Sequence, residues 1–189
     1  NEKSEAVVFH LGCGLDSRVL RVNHKKGIWY DIDFHDVIQE RKKYYQENDH
    51  YKMISCDLRE NTWLDNIPAY SDVIIVMEGI SMYFEPAELN QLLINLRKHF
   101  GNINLLMDCY SVKAAKLSKY KNPINDVGVT QVYGLDDPMQ IVKATDYTFV
   151  RRHEMTPEKM INELKGYEHT IFKMIYAGSL SKDLYRIYE

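Results

Sequence analysis

"AVVFHLGCGLDSR", Ala6 to Arg18, runs an apolar stretch into Gly-Cys-Gly and then an acid and a base. A short apolar run closed by glycine predicts a buried strand. Glycine lacks Cβ, so the turn after it can take positive φ and let a ligand approach the backbone. A tight strand-to-helix turn with no ligand would use the same residues. The residues beyond the turn decide the fold.

Those residues alternate in character. Apolar runs at Gly27–Asp33, Tyr51–Leu58, Ser71–Gly79 and Asn102–Tyr110 read as further strands. Helical stripes lie between them. Val37, Ile38, Arg41, Tyr44 and Tyr45 form one over residues 36–48, and Leu89, Leu92, Leu93, Leu96 and Phe100 form the clearest. Pro86 suits the first position of that helix and Gly101 the residue past its end. Alternation of this kind predicts an α/β fold, an open doubly wound and mostly parallel sheet with helices on both faces. After Tyr110 the pattern loosens. Residues 111–120 read as helical, 121–138 as a loop-rich excursion, and a helix starts near Pro138. Residues 147–155 alternate as a strand. A short helix is capped by Thr156, started by Pro157 and ended by Gly166, and "DLYRIYE" closes the chain as a last strand. No linker, repeat or low-complexity segment divides residues 1–189, which read as one domain.

In such a sheet ligands bind at the carboxyl ends of the strands. The groups predicted there are Gly12, Cys13 and Gly14 after strand one, Asp31 and Asp33 after strand two, and Asp57 with Leu58 after strand three. Glu78 and Gly79 follow strand four, and Asp108 to Tyr110 follow strand five. Asp33 lies 21 residues after Gly12, where an acid grips a ribose hydroxyl pair in this architecture. Its alternative is a helix cap shared with Asp36. Asp57 is placed to accept from an adenine amino group, or to cap a turn. Glu78, closing an apolar strand, is either a ligand group or half of an ion pair. A dinucleotide site prefers G-x-G-x-x-G, and here Ser17 stands at the third glycine position. That weakens an NAD-type oxidoreductase and suits a nucleoside ligand without phosphates.

Four motifs then fall in order: "HLGCGLDSR", "WYDIDFHDVIQERKKYY", "SCDLRE" and "MEGISMYFEPAELNQLL". Together they resemble the leucine carboxyl methyltransferase family, specifically over Val7 to Leu93 and more loosely beyond. The resemblance implies a class I methyltransferase fold, seven strands with an antiparallel final hairpin, and S-adenosyl-L-methionine as cofactor. It implies O-methylation of a carboxylate or hydroxyl on a small-molecule, polyketide-like acceptor. It places Gly12 and Gly14 under the methionine and ribose, Asp33 on the ribose, Asp57 and Leu58 at the adenine, and Glu78 near the methionine end. Two departures stand out. Many class I enzymes carry an acid two residues before the first glycine, where this chain has His10. The family also carries a helical region before the turn, where this chain has only Asn1–Glu5, which suggests a truncated or partly ordered chain. A non-catalytic methyltransferase-like module is the alternative this leaves open.

Composition agrees with an ordinary globular protein. The chain has 189 residues, 45% of them hydrophobic, and a formal net charge of −3. Mixed charge argues against a nucleic-acid surface, and no apolar run approaches the roughly 18 residues of a bilayer span. Three cysteines without C-x-x-C spacing indicate neither a disulfide frame nor a zinc site, and point to a reducing, cytoplasmic setting. No metal is expected, since the cofactor explains Asp57, Glu78 and Asp108 better than a cation. No catalytic residue is assigned. His35, His153, Tyr83 and Tyr110 are conceivable neighbours of the acceptor, and nothing in the sequence places them there.

Overall fold

A computed structural model describes residues 5–22, 26–118, 131–154, 158–176 and 184–189. The described elements run β1 (Val7–Leu11), α1 (Arg18–Arg21), β2 (Trp29–Asp33), α2 (His35–Arg41), β3 (Tyr51–Ser55), β4 (Asp72–Met77) and α3 (Pro86–His99). They continue with β5 (Asn102–Tyr110), α4 (Val112–Leu117), α5 (Met139–Ala144), β6 (Arg152–His153), α6 (Glu158–Ile161), α7 (Gly166–Tyr176) and β7 (Tyr185–Tyr188). Two 3₁₀ turns, Asn61–Asn66 and Ser81–Tyr83, flank β4.

The seven strands form one sheet in the order β3-β2-β1-β4-β5-β7-β6. The first five strands are mutually parallel, and β7 runs antiparallel to both β5 and β6. This is the doubly wound arrangement the alternation predicts, with the antiparallel end that the family resemblance adds. Strand order reverses between β1 and β4, so the carboxyl ends of β1, β2 and β4 border the crevice where such sheets bind ligands.

Two apolar layers sandwich the sheet. On one face Phe9, Leu11, Ile32, Val73, Ile75 and Met77 pack against Leu89, Leu92, Leu93 and Leu96 of α3. On the other, Val8, Trp29, Tyr51 and Met53 meet Val19 of α1 and Ile38 of α2. β1 is buried throughout, as its apolar run requires. β4 is less symmetric: Val73, Ile75 and Met77 are buried while Ile74 and Val76 are half-buried.

Helix α3 shows how local sequence sets an element. Pro86 stands in its first turn, and the Glu85 N–H donates to the Glu88 carboxylate at 2.8 Å. Arg97, Lys98 and His99 complement the dipole of the last turn. Each buried leucine contributes roughly 1.5–3 kcal/mol. Gly101 lies just past the end, but its requirement is close approach: a Cβ there would stand 2.6 Å from the Ser71 carbonyl oxygen.

Three expectations change. Helix α2 ends at Arg41, not near Asn48, because Tyr45 comes back to stack on the Arg41 guanidinium, 4.2 Å from the ring centre; Tyr44 is consequently exposed. Of the strand expected over residues 147–155, Arg152–His153 forms β6, and Val150 and Arg151 reach Glu189 through backbone hydrogen bonds just before it. The short helix expected to end at Gly166 stops at Ile161, and Gly166, with φ +62°, instead opens α7. Thr156 and Pro157 lie outside the described residues. Among the described residues, no helix is long and apolar enough to cross a membrane.

Candidate cofactor site

The two glycines after β1 have different work. The Gly12 and Cys13 N–H groups both donate to the Ile32 carbonyl, at 2.8 and 3.2 Å, which bends the chain toward β2. Gly12 has φ +67°, and a Cβ there would collide with the Ile80 side chain. Gly14 has φ +52°, and among the described residues nothing beyond its own chain neighbours lies within 4 Å of where its Cβ would stand. Gly12 therefore admits Ile80, while Gly14 leaves open space above the turn. Between them Cys13 is buried, and burial pushes its thiol well above the ordinary range.

Behind this turn lies a polar cluster that the sequence did not announce. Asp31, a possible ribose ligand by sequence, is fully buried in the sheet. It accepts from Trp29 Nε1 at 2.7 Å, Tyr51 OH at 2.6 Å and Arg41 Nε at 2.9 Å. His10 Nδ1 lies 3.3 Å away. Burial alone would raise its pKa, but the bonds from His10, Tyr51 and Trp29 and the Arg41 charge outweigh it and hold the carboxyl below its usual range. Arg41, also fully buried, donates Nη1 to the Gly14 carbonyl at 3.0 Å. Asp31 thus faces inward and supports the turn, and His10 fills the place where an acid is common.

The other strand ends complete a row. The Asp33 carboxylate accepts the Gly14 N–H at 2.8 Å through Oδ2 and the Phe34 N–H at 2.8 Å through Oδ1. Asp57 Oδ1 accepts the Arg59 N–H at 3.0 Å and lies 3.3 Å from Arg59 Nη1. Leu58 is packed into the core below, so little of its side chain is left to meet a ring. Glu78 takes the ion-pair alternative: it follows the end of β4, its side chain is 55% exposed, and it pairs with Arg18, which also lies 3.2 Å from Asp16. Gly79 has φ +75° with open space at its Cβ position. Its N–H donates to Asp108 Oδ2 at 2.6 Å.

The profile of the leucine carboxyl methyltransferase family matches residues 2–97. The chain belongs to this family. The tetracenomycin polyketide synthesis O-methyltransferase TcmP of Streptomyces glaucescens is 31% identical over 138 residues, 72% of this chain and 51% of that protein. The S-adenosyl-L-methionine-dependent methyltransferase dpfgK of Gibberella zeae is 29% identical over 150 residues, 72% of this chain and 50% of that one. This chain therefore spans about half the length of the curated relatives it matches. A crystal structure from Thermobifida fusca YX, provisionally described as a methyltransferase, superposes with a TM-score of 0.68. It is 12% identical and covers 100% of this chain and 73% of its own. That likeness is one of fold.

S-adenosyl-L-methionine is the cofactor that membership of this methyltransferase family implies, and the residues at these strand ends fit it. Two glycines leave clear space, and a carboxylate stands at the end of β2. Each Asp33 oxygen uses one acceptor position on a backbone N–H, so each retains another for a hydroxyl. His35 is exposed, with Nδ1 3.4 Å from Ser55 Oγ, and His153 pairs with Glu189 at 2.8 Å. Tyr83 and Tyr110 pack around Met82, Ala115 and Val132. Cys56 and Cys109 belong to the main core and Cys13 to the opposite layer; all three are free thiols. Burial pushes Cys56 and Cys109 up to about 12.

Three arginines, each inside one of the quoted motifs but with no role read from it, tie these strand ends together. Arg18 reaches Glu78, and Arg41 reaches Gly14. Arg59 joins Asp57 to the Tyr83 carbonyl at 3.2 Å and to Glu88 at 3.3 Å, while lying over the Phe84 ring. Arg41 had one legible trace, a charged residue on the apolar stripe of α2.

Proposed function

We propose that this chain forms the cofactor-binding core of an S-adenosylmethionine-dependent O-methyltransferase acting on a hydroxyl or carboxylate of a small, polyketide-like molecule. The observation that carries this reading is the pairing of open space over Gly14 and Gly79 with the Asp33 carboxylate, in a leucine carboxyl methyltransferase fold.

In this reading the Asp33 oxygens accept the two ribose hydroxyls, the geometry an acid at the end of β2 serves in doubly wound sheets. Gly12, Cys13 and Gly14 form the floor. Asp57 and Leu58 border the adenine. Glu78 and Gly79 border the methionine end, beside Arg18. The bound cofactor supplies a methyl group on an already activated sulfonium. The protein's share is then to fix the acceptor in line and to exclude water. A carboxylate acceptor needs no base, whereas a hydroxyl must lose a proton during or after transfer.

The test is titration calorimetry of the intact protein with S-adenosylmethionine and S-adenosylhomocysteine, with NADH as the competing ligand. Saturable binding of the first two and none of NADH is expected. Absence of binding by both sulfur ligands overturns the reading.

A further inference from the structure

The carboxyl of Asp108 is in an unusual position. It lies near the end of β5, next to the strand that leads into Glu78 and Gly79, and the residue is 2% exposed. Oδ2 accepts the Gly79 N–H and the Tyr185 hydroxyl. Among the described residues, Oδ1 is buried with no hydrogen-bond partner. A buried carboxylate missing a donor is costly, and the cost is relieved by a proton or by nearby positive charge. The groups around it are Glu78 after β4, Arg18 on α1, Tyr83 in the 3₁₀ turn, Cys109 and Tyr110 on β5, and Tyr185 on β7. Arg18 is engaged by Glu78 and Asp16. The corner is thus two carboxyls facing one paired cation.

We infer that Asp108 is the proton-linked positioning residue of the cofactor site, releasing its proton when a cationic ligand head settles beside Glu78 and Gly79. This rests on the proposed S-adenosylmethionine site, whose ligand carries an ammonium beside its carboxylate at that end, with a sulfonium charge added in S-adenosylmethionine and absent from S-adenosylhomocysteine. The carboxylic acid Asp108–COOH becomes carboxylate, and the proton leaves to solvent. The charged form is the better acceptor for the Gly79 N–H, so the turn against the ligand tightens as the ligand binds. Burial first, and the Glu78 charge after it, push the free carboxyl up to about 7, so the protonated form is available at neutral pH.

Calorimetry with S-adenosylhomocysteine and S-adenosylmethionine, in phosphate and in Tris across pH 6 to 8, reads the protons released. The intact protein should release about half a proton near pH 7, and affinity should rise with pH up to about tenfold per unit below 7 before levelling. Asp108→Asn, checked for folding by thermal melting, should bind with neither dependence. Tyr185→Phe removes a donor to the charged form and should move the release to higher pH. Binding by the intact protein without proton release, or release unchanged in both variants, overturns the inference while leaving the cofactor reading standing. No binding by the intact protein overturns both.

Discussion

Arg41 and Asp31 form an ion pair with neither side chain exposed to solvent, Nη2 to Oδ2 at 2.5 Å, and the same guanidinium holds the Gly14 carbonyl. Removing one partner strands a buried charge. Arg41→Leu should cost about 3–5 kcal/mol in urea denaturation. Replacing both residues by leucine should recover part of that loss. A single-variant loss below about 1 kcal/mol would show that the pair does not hold the turn. Because the folded Asp31 carboxyl titrates below its ordinary value, its stabilisation is complete above that value. It fades only as pH falls through the lower, folded one.

Asp33 should matter to the ligand more than to the fold. Asp33→Ala deletes a charged acceptor, and bonds to charged groups contribute about 1.5–3 kcal/mol. Affinity for S-adenosylhomocysteine should fall about 10- to 100-fold, with the circular dichroism spectrum retained. Unchanged affinity in calorimetry would remove Asp33 from the ribose.

The two glycines of the turn should separate in their effects. In Gly12→Ala the new methyl meets Ile80 as well as an unfavourable φ, so both packing and backbone suffer. In Gly14→Ala only the backbone is strained directly, by about 1–2 kcal/mol, and the methyl enters the open space proposed for the cofactor. Denaturation midpoints should rank Gly12→Ala as less stable, while Gly14→Ala should show a loss of cofactor affinity larger than its loss of stability. The reverse order would mean the space over Gly14 is not the ligand's.

Asp108 gives a pH signature of the opposite sign to Asp31. Its folded pKa is raised from 3.8 to about 7, so the folded protein binds more protons than the unfolded chain between those values. Stability from this group therefore declines as pH climbs through that window and is level above it. The decline should be on the order of a few kcal/mol, at about 1.4 kcal/mol per unit. Subtracting the pH–stability curve of Asp108→Asn from that of the unaltered protein should expose it. A flat difference between pH 4 and 7 would place the carboxyl in a more polar setting.

Strand identities were legible because apolar runs and helical stripes are local signals. The row Gly12, Gly14, Asp33, Asp57 and Gly79 was legible because the fold puts strand ends together. The features that were not legible depend on pairings across the sheet. Asp31 and Asp33 look alike in sequence, yet one closes a buried network and the other turns to the rim, because Tyr51 from β3 and Arg41 from α2 converge on the first. Glu78 was legible as a ligand group or half of an ion pair, but its partner was not: Arg18 comes from another element to meet it where the chain leaves the sheet at Met77. The hydroxyl donor to Asp108 lies 77 positions away on β7, beyond the reach of any local pattern.

That separation bears on how the molecule is made. β7 fits between β5 and β6, so while the ribosome is still working through residues 111–184 the β5 edge has no antiparallel neighbour. An unpaired edge of this kind invites wrong partners. The glycine turn, Asp33 and the buried Arg41 pair all belong to segments synthesised early and can assemble first. The corner around Asp108 gains its tyrosine donor only when residues 185–188 insert. The nascent chain is therefore expected to complete the glycine turn and its buried ion pair before the corner around Asp108.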